Sequence, residues 1–134
     1  MKIILASQSP RRKAILEKLG LQYEVMVPDC DEYTEKTIPE EIVLDLSRIK
    51  ASNVSLRASD EPLIILAADT IVYHNGKILE KPKGKNEAFE MLKQLTDNWH
   101  TVFTGVCIIK ADNSIVQYCE TSQVHMRKVT DEEI

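Results

Sequence analysis

Two patterns of apolar residues alternate along this chain, and together they predict an α/β fold. Apolar or alternating runs, which are typical of strands, lie at 2–6, 22–27, 63–73, 77–79, 99–109 and 115–127. Apolar residues at helical spacing predict three helices, at about 10–19, 37–56 and 86–95. Strands that alternate with helices and then end in a hairpin predict a mixed, twisted sheet flanked by helices.

Capping and turn residues predict where these elements begin and end. Ser9 can cap the first helix, Pro10 suits its first turn and Gly20 can end it. The run from Thr37 to Glu40 has the pattern of a capping box for the second helix. Asn75-Gly76 is a hairpin turn signal between two strands.

Each predicted helix has an apolar face that we expect to pack on the sheet. In the first helix this face consists of Ile15, Leu16 and Leu19. In the second it consists of Val43, Leu46, Lys50 and Val54, with Ile42 and Ile49 beside them. In the third it consists of Ala88, Met91, Leu92 and Leu95.

Length and charge narrow the classes of protein to which the chain can belong. Its 134 residues are the usual size of one domain, so we expect a single α/β domain. The net charge of -4 at pH 7 argues against stable nucleic-acid binding and against docking on an anionic membrane. The sequence has no run of about 18 apolar residues and no signal peptide before the first strand, so we expect a cytoplasmic protein.

Cysteine and histidine do not form a recognisable metal or nucleophile pattern. The three cysteines include no CxxC pair, which predicts reduced thiols at Cys30, Cys107 and Cys119. The last two lie in apolar runs, so we expect them to be packing residues. No ligand spacing relates the histidines, and we expect structural roles for His74, His100 and His125.

The stretch SQSPRR, residues 7–12, follows the first strand and opens the first helix. Free N–H groups and the helix dipole make such a turn a natural anion site, to which Ser7 and Ser9 add hydroxyl donors. Arg11 and Arg12 add guanidinium groups that match phosphate oxygens two at a time. The alternatives are a capped helix with two solvated arginines and, less favoured by the charge, a basic turn that enters the DNA minor groove.

Asp69 is the second informative position. It follows the apolar run 63–68 and precedes three further strand-forming residues, 70–72, so it places a carboxylate inside a strand, where aspartate is disfavoured. A buried carboxylate needs a cation, a metal or several hydrogen-bond donors. The sequence leaves two interpretations open, a structural aspartate at a strand end, or a metal ligand or base that activates water.

Two lysines and an acidic loop complete the set of candidate residues. Lys50 lies on the apolar face of the second helix, where it either extends along that face to solvent or points at an anion. Lys81 lies in a loop stiffened by the proline that follows it. Asp31 and Glu32 either help to hold a divalent ion or are simply solvated. Together these residues suit metal-assisted phosphate chemistry on an anhydride.

The last residues of the sequence predict a helix start. Thr130-Asp131-Glu132-Glu133 has the capping-box pattern, and Ile134 would be the first apolar residue of the helix. We expect from this pattern that a C-terminal portion is missing, the alternative being a frayed acidic tail.

Several blocks of the sequence, in order, resemble the Maf family. They are Leu5-Ala6-Ser7-Gln8-Ser9-Pro10-Arg11-Arg12, Ala68-Asp69-Thr70-Ile71-Val72, Leu79-Glu80-Lys81-Pro82 and the segment 99–106. The resemblance covers almost the whole chain and implies a Maf/ITPase-like fold with a nucleotide cleft. Members of the family continue beyond a position like Ile134, so the resemblance also implies that the C-terminal part of the family fold is absent.

The resemblance implies a nucleoside triphosphate pyrophosphatase, which releases a monophosphate and pyrophosphate and needs Mg²⁺ or Mn²⁺. Asp69 would activate water, and Glu32 would help Asp69 at the metal. The triphosphate would be held by Ser7, Ser9, Arg11, Arg12, Lys50 and Lys81. Arg11 and Thr70 match positions that are tied to substrate choice in the family. Their residue types resemble those of the family branch that prefers dTTP and UTP. The family also suggests a homodimer.

An alternative to an enzyme is a regulatory protein. It is a nucleotide-binding regulator of septation and cell division that acts through protein partners, with little or no turnover. Replacement of Asp69 by Asn separates the two, because only the enzyme depends on hydrolysis.

Overall fold

The computed structural model describes residues 2–58, 63–79 and 82–134 and confirms the predicted α/β class, a mixed sheet with three helices. The strands are β1 (Lys2–Leu5), β2 (Glu24–Val25), β3 (Leu63–His74), β4 (Lys77–Leu79), β5 (Asn98–Ile109) and β6 (Ile115–Met126). The helices are α1 (Pro10–Lys18), α2 (Pro39–Arg57) and α3 (Lys85–Leu95). Among the described helices none is both long and apolar enough to cross a membrane.

The sheet is organised around β3, and the strand order is β2-β1-β3-β5-β6. β1 runs parallel to β2 and β3, whereas β3, β5 and β6 pair antiparallel. β5 pairs along one edge of β3 from residue 65 to residue 73. The other edge is shared, because β1 pairs with residues 63–66 and β4 with residues 72–74. Residues 67–71 lie between these two ladders.

The hydrophobic core lies between α2 and the middle of the sheet. Fully buried residues of α2, Ala51 and Val54, pack against apolar residues of β1, β3 and β5. The strand residues of this cluster are Ile4, Leu63, Ile65, Ala67, Cys107 and Ile109. The core therefore fixes α2 over the three strands that lead to the candidate site.

Two helix predictions are only partly correct. In α1, Leu16 is buried, but Ile15 is 58% exposed, and Leu19, which caps the end of the helix, is 66% exposed. In α3, Leu95 is buried, whereas Leu92 is exposed.

The two predicted capping boxes have different outcomes. The residue that caps α2 is Ile38, without a side-chain hydrogen bond, because Pro39 takes the first helical position and leaves Thr37 outside the cap. At the other site, the Glu133 N–H donates to Thr130 Oγ at 3.3 Å, and the Thr130 N–H donates to Glu133 Oε1 at 3.3 Å. These reciprocal hydrogen bonds have the pattern of a capping box, but residues 131–133 form a turn and not the predicted start of a helix.

Gly105 permits the close approach of α2 to β5. A Cβ atom at this position would lie 2.3 Å from the carbonyl oxygen of Val43 in α2. Gly105 is also the residue of β5 that pairs with Asp69 of β3. The absence of a side chain at this point therefore sets the distance between α2 and the strand that carries Asp69.

We expect Gly105→Ala to lower the free energy of unfolding by roughly 1–3 kcal/mol or more, because the new methyl group meets backbone that cannot move aside easily. Urea denaturation measures this loss. Gly84→Ala is the matched control, since nothing lies within 4 Å of its Cβ position and its φ of 175° suits any residue. The control changes only a helix cap and is expected to lose less than about 1 kcal/mol. Equal stability of the two variants would contradict the prediction.

Candidate active site

The turn after β1, where the sequence predicts an anion site, is built around two serines. Ser7 is buried, and its Oγ accepts a hydrogen bond from the Ser9 N–H at 3.0 Å. Ser9 is the N-cap of α1, and its side chain accepts from the Arg12 N–H at 3.5 Å. The predicted cap is confirmed, and the first turn of α1 directs its N–H groups and the positive end of its dipole out of the same turn.

Arg12 folds back over this turn instead of extending into solvent. Its Nη1 donates to Ser7 Oγ at 3.3 Å, and its Nη2 donates to Thr70 Oγ1 at 3.1 Å. Burial lowers the pKa of the Arg12 guanidinium from its ordinary value, and the negative charge of Asp69 partly opposes that shift. An arginine retains its charge at neutral pH, so a half-buried cation stands beside the turn. Arg11 is exposed.

Lys50 does not extend along α2 to solvent but forms an ion pair with Asp69. Its Nζ lies 2.8 Å from Asp69 Oδ1 and 3.2 Å from Glu32 Oε1, and it also donates to the Ala68 carbonyl at 3.5 Å. The side chains of Lys50 and Asp69 are only 12% and 11% exposed, whereas that of Glu32 is 60% exposed. The Lys50 ammonium thus compensates the strand carboxylate that the sequence marked as unusual.

Asp69 uses only one of its two carboxylate oxygens in this pair. Oδ2 is buried and has no hydrogen-bond partner among residues 2–58, 63–79 and 82–134. A buried oxygen with an open lone pair fits a water molecule or a hard cation such as Mg²⁺ or Mn²⁺. Within the described part of the chain no three acidic, histidine or cysteine side chains cluster as a complete metal site. The residues therefore fit a cation that takes its remaining ligands from water and phosphate, as Mg²⁺ does.

The site lies where β3 changes partners. Asp69 and Thr70 belong to residues 67–71, between the β1 and β4 ladders, and the turn after β1 reaches this segment. Successive strand residues point to opposite faces, so Asp69 meets Lys50 of α2 while Thr70 meets Arg12 of α1. One short piece of β3 thus joins the carboxylate to the turn after β1.

Sequence reasoning missed Thr104 of β5. It is the residue directly opposite Thr70, and the two Oγ1 atoms are 3.0 Å apart. It lies in the segment 99–106, which resembles the Maf family, but a threonine in a strand has no distinctive chemistry, and only the strand register places it beside Thr70.

The remaining predicted residues have mixed outcomes. Lys81 lies outside the described residues. His74 Nδ1 lies 3.0 Å from the Trp99 carbonyl, and His125 packs against the Trp99 ring. His100 is buried, and burial lowers its pKa. The cysteines are free thiols, and the predicted packing role is confirmed for Cys107, which is fully buried and whose pKa burial raises.

Sequence comparison matches the chain to a protein family and to curated proteins. A profile of the family described as Maf-like protein matches residues 2–134. The dTTP/UTP pyrophosphatase of Thermosipho melanesiensis is 46% identical over 132 residues, which are 98% of this chain and 69% of that protein. The dTTP/UTP pyrophosphatase of Clostridium perfringens strain SM101 is 46% identical over 137 residues, covering all of this chain and 71% of the relative.

Solved structures resemble the fold at low sequence identity. A HAM1 protein from Coxiella burnetii superposes with a TM-score of 0.52 at 15% identity, over 93% of this chain and 72% of that one. A nucleoside-triphosphatase, also named dITP/XTP pyrophosphatase, from Mycobacterium abscessus gives a TM-score of 0.50 at 15% identity, over 96% and 76% of the two chains. These similarities support the fold alone.

We expect Lys50→Met to lower the free energy of unfolding by about 3–5 kcal/mol, because it leaves the Asp69 carboxylate buried without a cation. Thermal and urea unfolding measure the loss. Lys93→Met is the matched control, since Lys93 lies 4.0 Å from Asp131 and both side chains are more than half exposed. The control is expected to cost less than about 1 kcal/mol.

A double variant, Lys50→Met with Asp69→Asn, tests the cause of that loss. It is expected to recover part of the stability, because the uncompensated charge is gone. If Lys50→Met costs no more than Lys93→Met, the ion pair does not stabilise the fold.

Proposed function

This chain belongs to the Maf family, and from that membership we propose that it hydrolyses dTTP and UTP to the monophosphate and pyrophosphate. The observation that carries the proposal is the buried carboxylate of Asp69, with one oxygen held by Lys50 and the other free of described partners. This carboxylate stands beside a turn whose donors suit phosphate. The curated relatives named dTTP/UTP pyrophosphatase support the choice of nucleotide.

In the proposed reaction Asp69 acts as the base. Its Oδ2 is the atom that accepts a proton from the attacking water, because Oδ1 is already engaged by the Lys50 ammonium. The ion pair with Lys50 also restricts the rotation of the carboxylate, so Oδ2 keeps one direction. The activated water attacks the α phosphorus and forms a new P–O bond. The bond between the α phosphorus and the oxygen that bridges to the β phosphate breaks, so the products are the nucleoside monophosphate and pyrophosphate.

The turn after β1 would hold the triphosphate. Ser7, Ser9 and the first N–H groups of α1 provide donors, and Arg12 provides a charged fork that two hydroxyl groups already orient. Arg11 is exposed beside them, where it can contact phosphate without a large desolvation cost. We include Lys81 in this set on the family resemblance.

Glu32 and Asp69, which both pair with the Lys50 ammonium, are the residues that we propose to hold Mg²⁺ or Mn²⁺. When bound, such a cation neutralises charge that develops on the phosphate oxygens. Thr70 and Arg11 are proposed to contribute to the choice of nucleotide, Thr70 through a hydroxyl at the exposed side of the site.

We also propose that the enzyme acts in the cytoplasm, as a homodimer and without stable binding to nucleic acid. A net charge of -4 favours a protein that does not associate stably with nucleic acid, and the free thiols suit the reducing cytoplasm. A homodimer is proposed on the family resemblance alone. Nothing in the described residues favours the alternative of a regulator of septation without turnover.

We expect pyrophosphate release from dTTP and UTP with Mg²⁺ or Mn²⁺, and a loss of about 100-fold or more in kcat for Asp69→Asn, because an amide cannot accept the proton. CTP and 7-methyl-GTP are assayed beside them as nucleotides of other types. Asp112→Asn is the matched control, since Asp112 lies in the β5–β6 turn and accepts from Ser114.

Two outcomes would contradict the proposed reaction. One is turnover by Asp69→Asn at a rate close to that of the parent. The other is a folded parent protein that releases pyrophosphate from none of the four nucleotides.

A further inference from the structure

Three hydroxyl groups and the Arg12 guanidinium form a chain of hydrogen bonds, the hydroxyl line, in which Thr104 contacts Thr70 and not Arg12 itself. Ser7 Oγ accepts a hydrogen bond from Arg12 Nη1, and Thr70 Oγ1 accepts one from Arg12 Nη2. Thr104 Oγ1 then lies 3.0 Å behind Thr70 Oγ1. Ser7 is buried in the turn, whereas Thr70 is exposed, so a second hydrogen bond to Thr70 would further restrict the direction of its hydroxyl group.

The sheet register supplies that second contact. Thr70 and Thr104 are direct cross-strand partners in the antiparallel β3–β5 ladder, so their side chains leave the same face of the sheet side by side. The neighbouring pair, Asp69 and Gly105, points to the α2 face instead. Thr104 therefore contacts the anion-binding side of the site without touching the carboxylate.

The donor and acceptor count of the two threonines has a definite consequence. A hydroxyl group has one proton and two lone pairs, and Thr70 already uses one lone pair to accept from Arg12. If Thr104 donates to the second lone pair, the Thr70 proton is left to donate to a ligand. If Thr70 donates to Thr104 instead, the Thr104 proton is left. Thr70 is the more exposed of the two, which favours the first arrangement.

We propose that Thr104 is a positioning residue for nucleotide binding, which fixes the Thr70 hydroxyl and, through it, the Arg12 guanidinium. This inference rests on the proposed function and adds a residue of β5 to the site. Thr104 acts on the substrate through Thr70, so its contribution is to ground-state binding of the triphosphate and not to the water-activating step at Asp69.

The test is a set of conservative variants assayed with dTTP. Thr104→Val replaces the hydroxyl by a methyl group on a strand-forming side chain, and Thr104→Ser keeps the hydroxyl. We expect the valine variant to raise KM about three- to tenfold, the effect of one lost hydrogen bond, with kcat changed less than about twofold. The serine variant is expected to restore KM.

Thr101→Val is the matched control, because Thr101 lies on the same strand and donates to Gln123 at 3.4 Å, outside the hydroxyl line. It is expected to leave KM unchanged. The inference is overturned if Thr104→Val has the KM of the parent, if Thr104→Ser is as impaired as Thr104→Val, or if Thr101→Val raises KM equally.

A double-mutant cycle tests whether Thr104 acts through Thr70. If it does, Thr70→Val with Thr104→Val binds nucleotide no worse than Thr70→Val alone. If the losses of affinity in the two single variants add fully in the double variant, Thr104 does not act through Thr70.

Equilibrium binding separates this inference from the proposed reaction. Calorimetric titration of dTTP into Asp69→Asn, with and without Thr104→Val, reports the affinity without turnover and should show the same three- to tenfold loss, roughly that of one hydrogen bond. A parent that binds dTTP but releases no pyrophosphate would refute the proposed reaction and leave the Thr104 inference standing. Equal affinities with and without Thr104→Val would refute the inference about Thr104. If the parent protein still releases pyrophosphate, the proposed reaction stands.

Discussion

The burial of the Asp69 carboxylate is the constraint on which the site depends. A carboxylate side chain that is only 11% exposed inside a strand needs compensation for its charge, and the fold provides it with the Lys50 ammonium. Lys50 reaches it only because α2 lies directly on the sheet, and α2 can lie there only because Gly105 has no side chain. A single missing methyl group in β5 thus allows a charge in β3 to be buried.

The change of partner along one edge of β3 explains why the site forms where it does. Between the β1 and β4 ladders, residues 67–71 leave room for the turn after β1 to approach. The alternation of the strand then turns Asp69 towards α2 and Thr70 towards α1. Asp69 and Thr70 are therefore adjacent in sequence but point in opposite directions, so Lys50 pairs with Asp69 and Arg12 hydrogen-bonds to Thr70, while the Asp69 charge still acts on Arg12.

The sequence predicts this site to the extent that its residues are locally unusual. An aspartate within an apolar strand, a lysine on an apolar helix face and a basic turn with two serines are each unusual for their local structure, and these are the residues that the fold brings together. Thr104 and Gly105 suit their strand without any such conflict, and only the pairing of β5 with β3 gives them a role. The exposure of Ile15 and Leu19 was mispredicted for a related reason, since helical spacing identifies a face but does not show how much of it the sheet covers.

The charge balance of the site bears on what it can bind. Among the described residues that meet there, the cations Arg12 and Lys50 face the carboxylates Asp69 and Glu32, so their formal charges cancel. A nucleoside triphosphate adds several negative charges to this neutral arrangement. The α1 terminus and the hydroxyl donors contribute only partial charges, and Arg11 contributes one full charge at the exposed side. We propose that a divalent cation compensates the rest of the negative charge of the triphosphate. It would bring positive charge to Asp69 and Glu32, the same carboxylates that pair with Lys50.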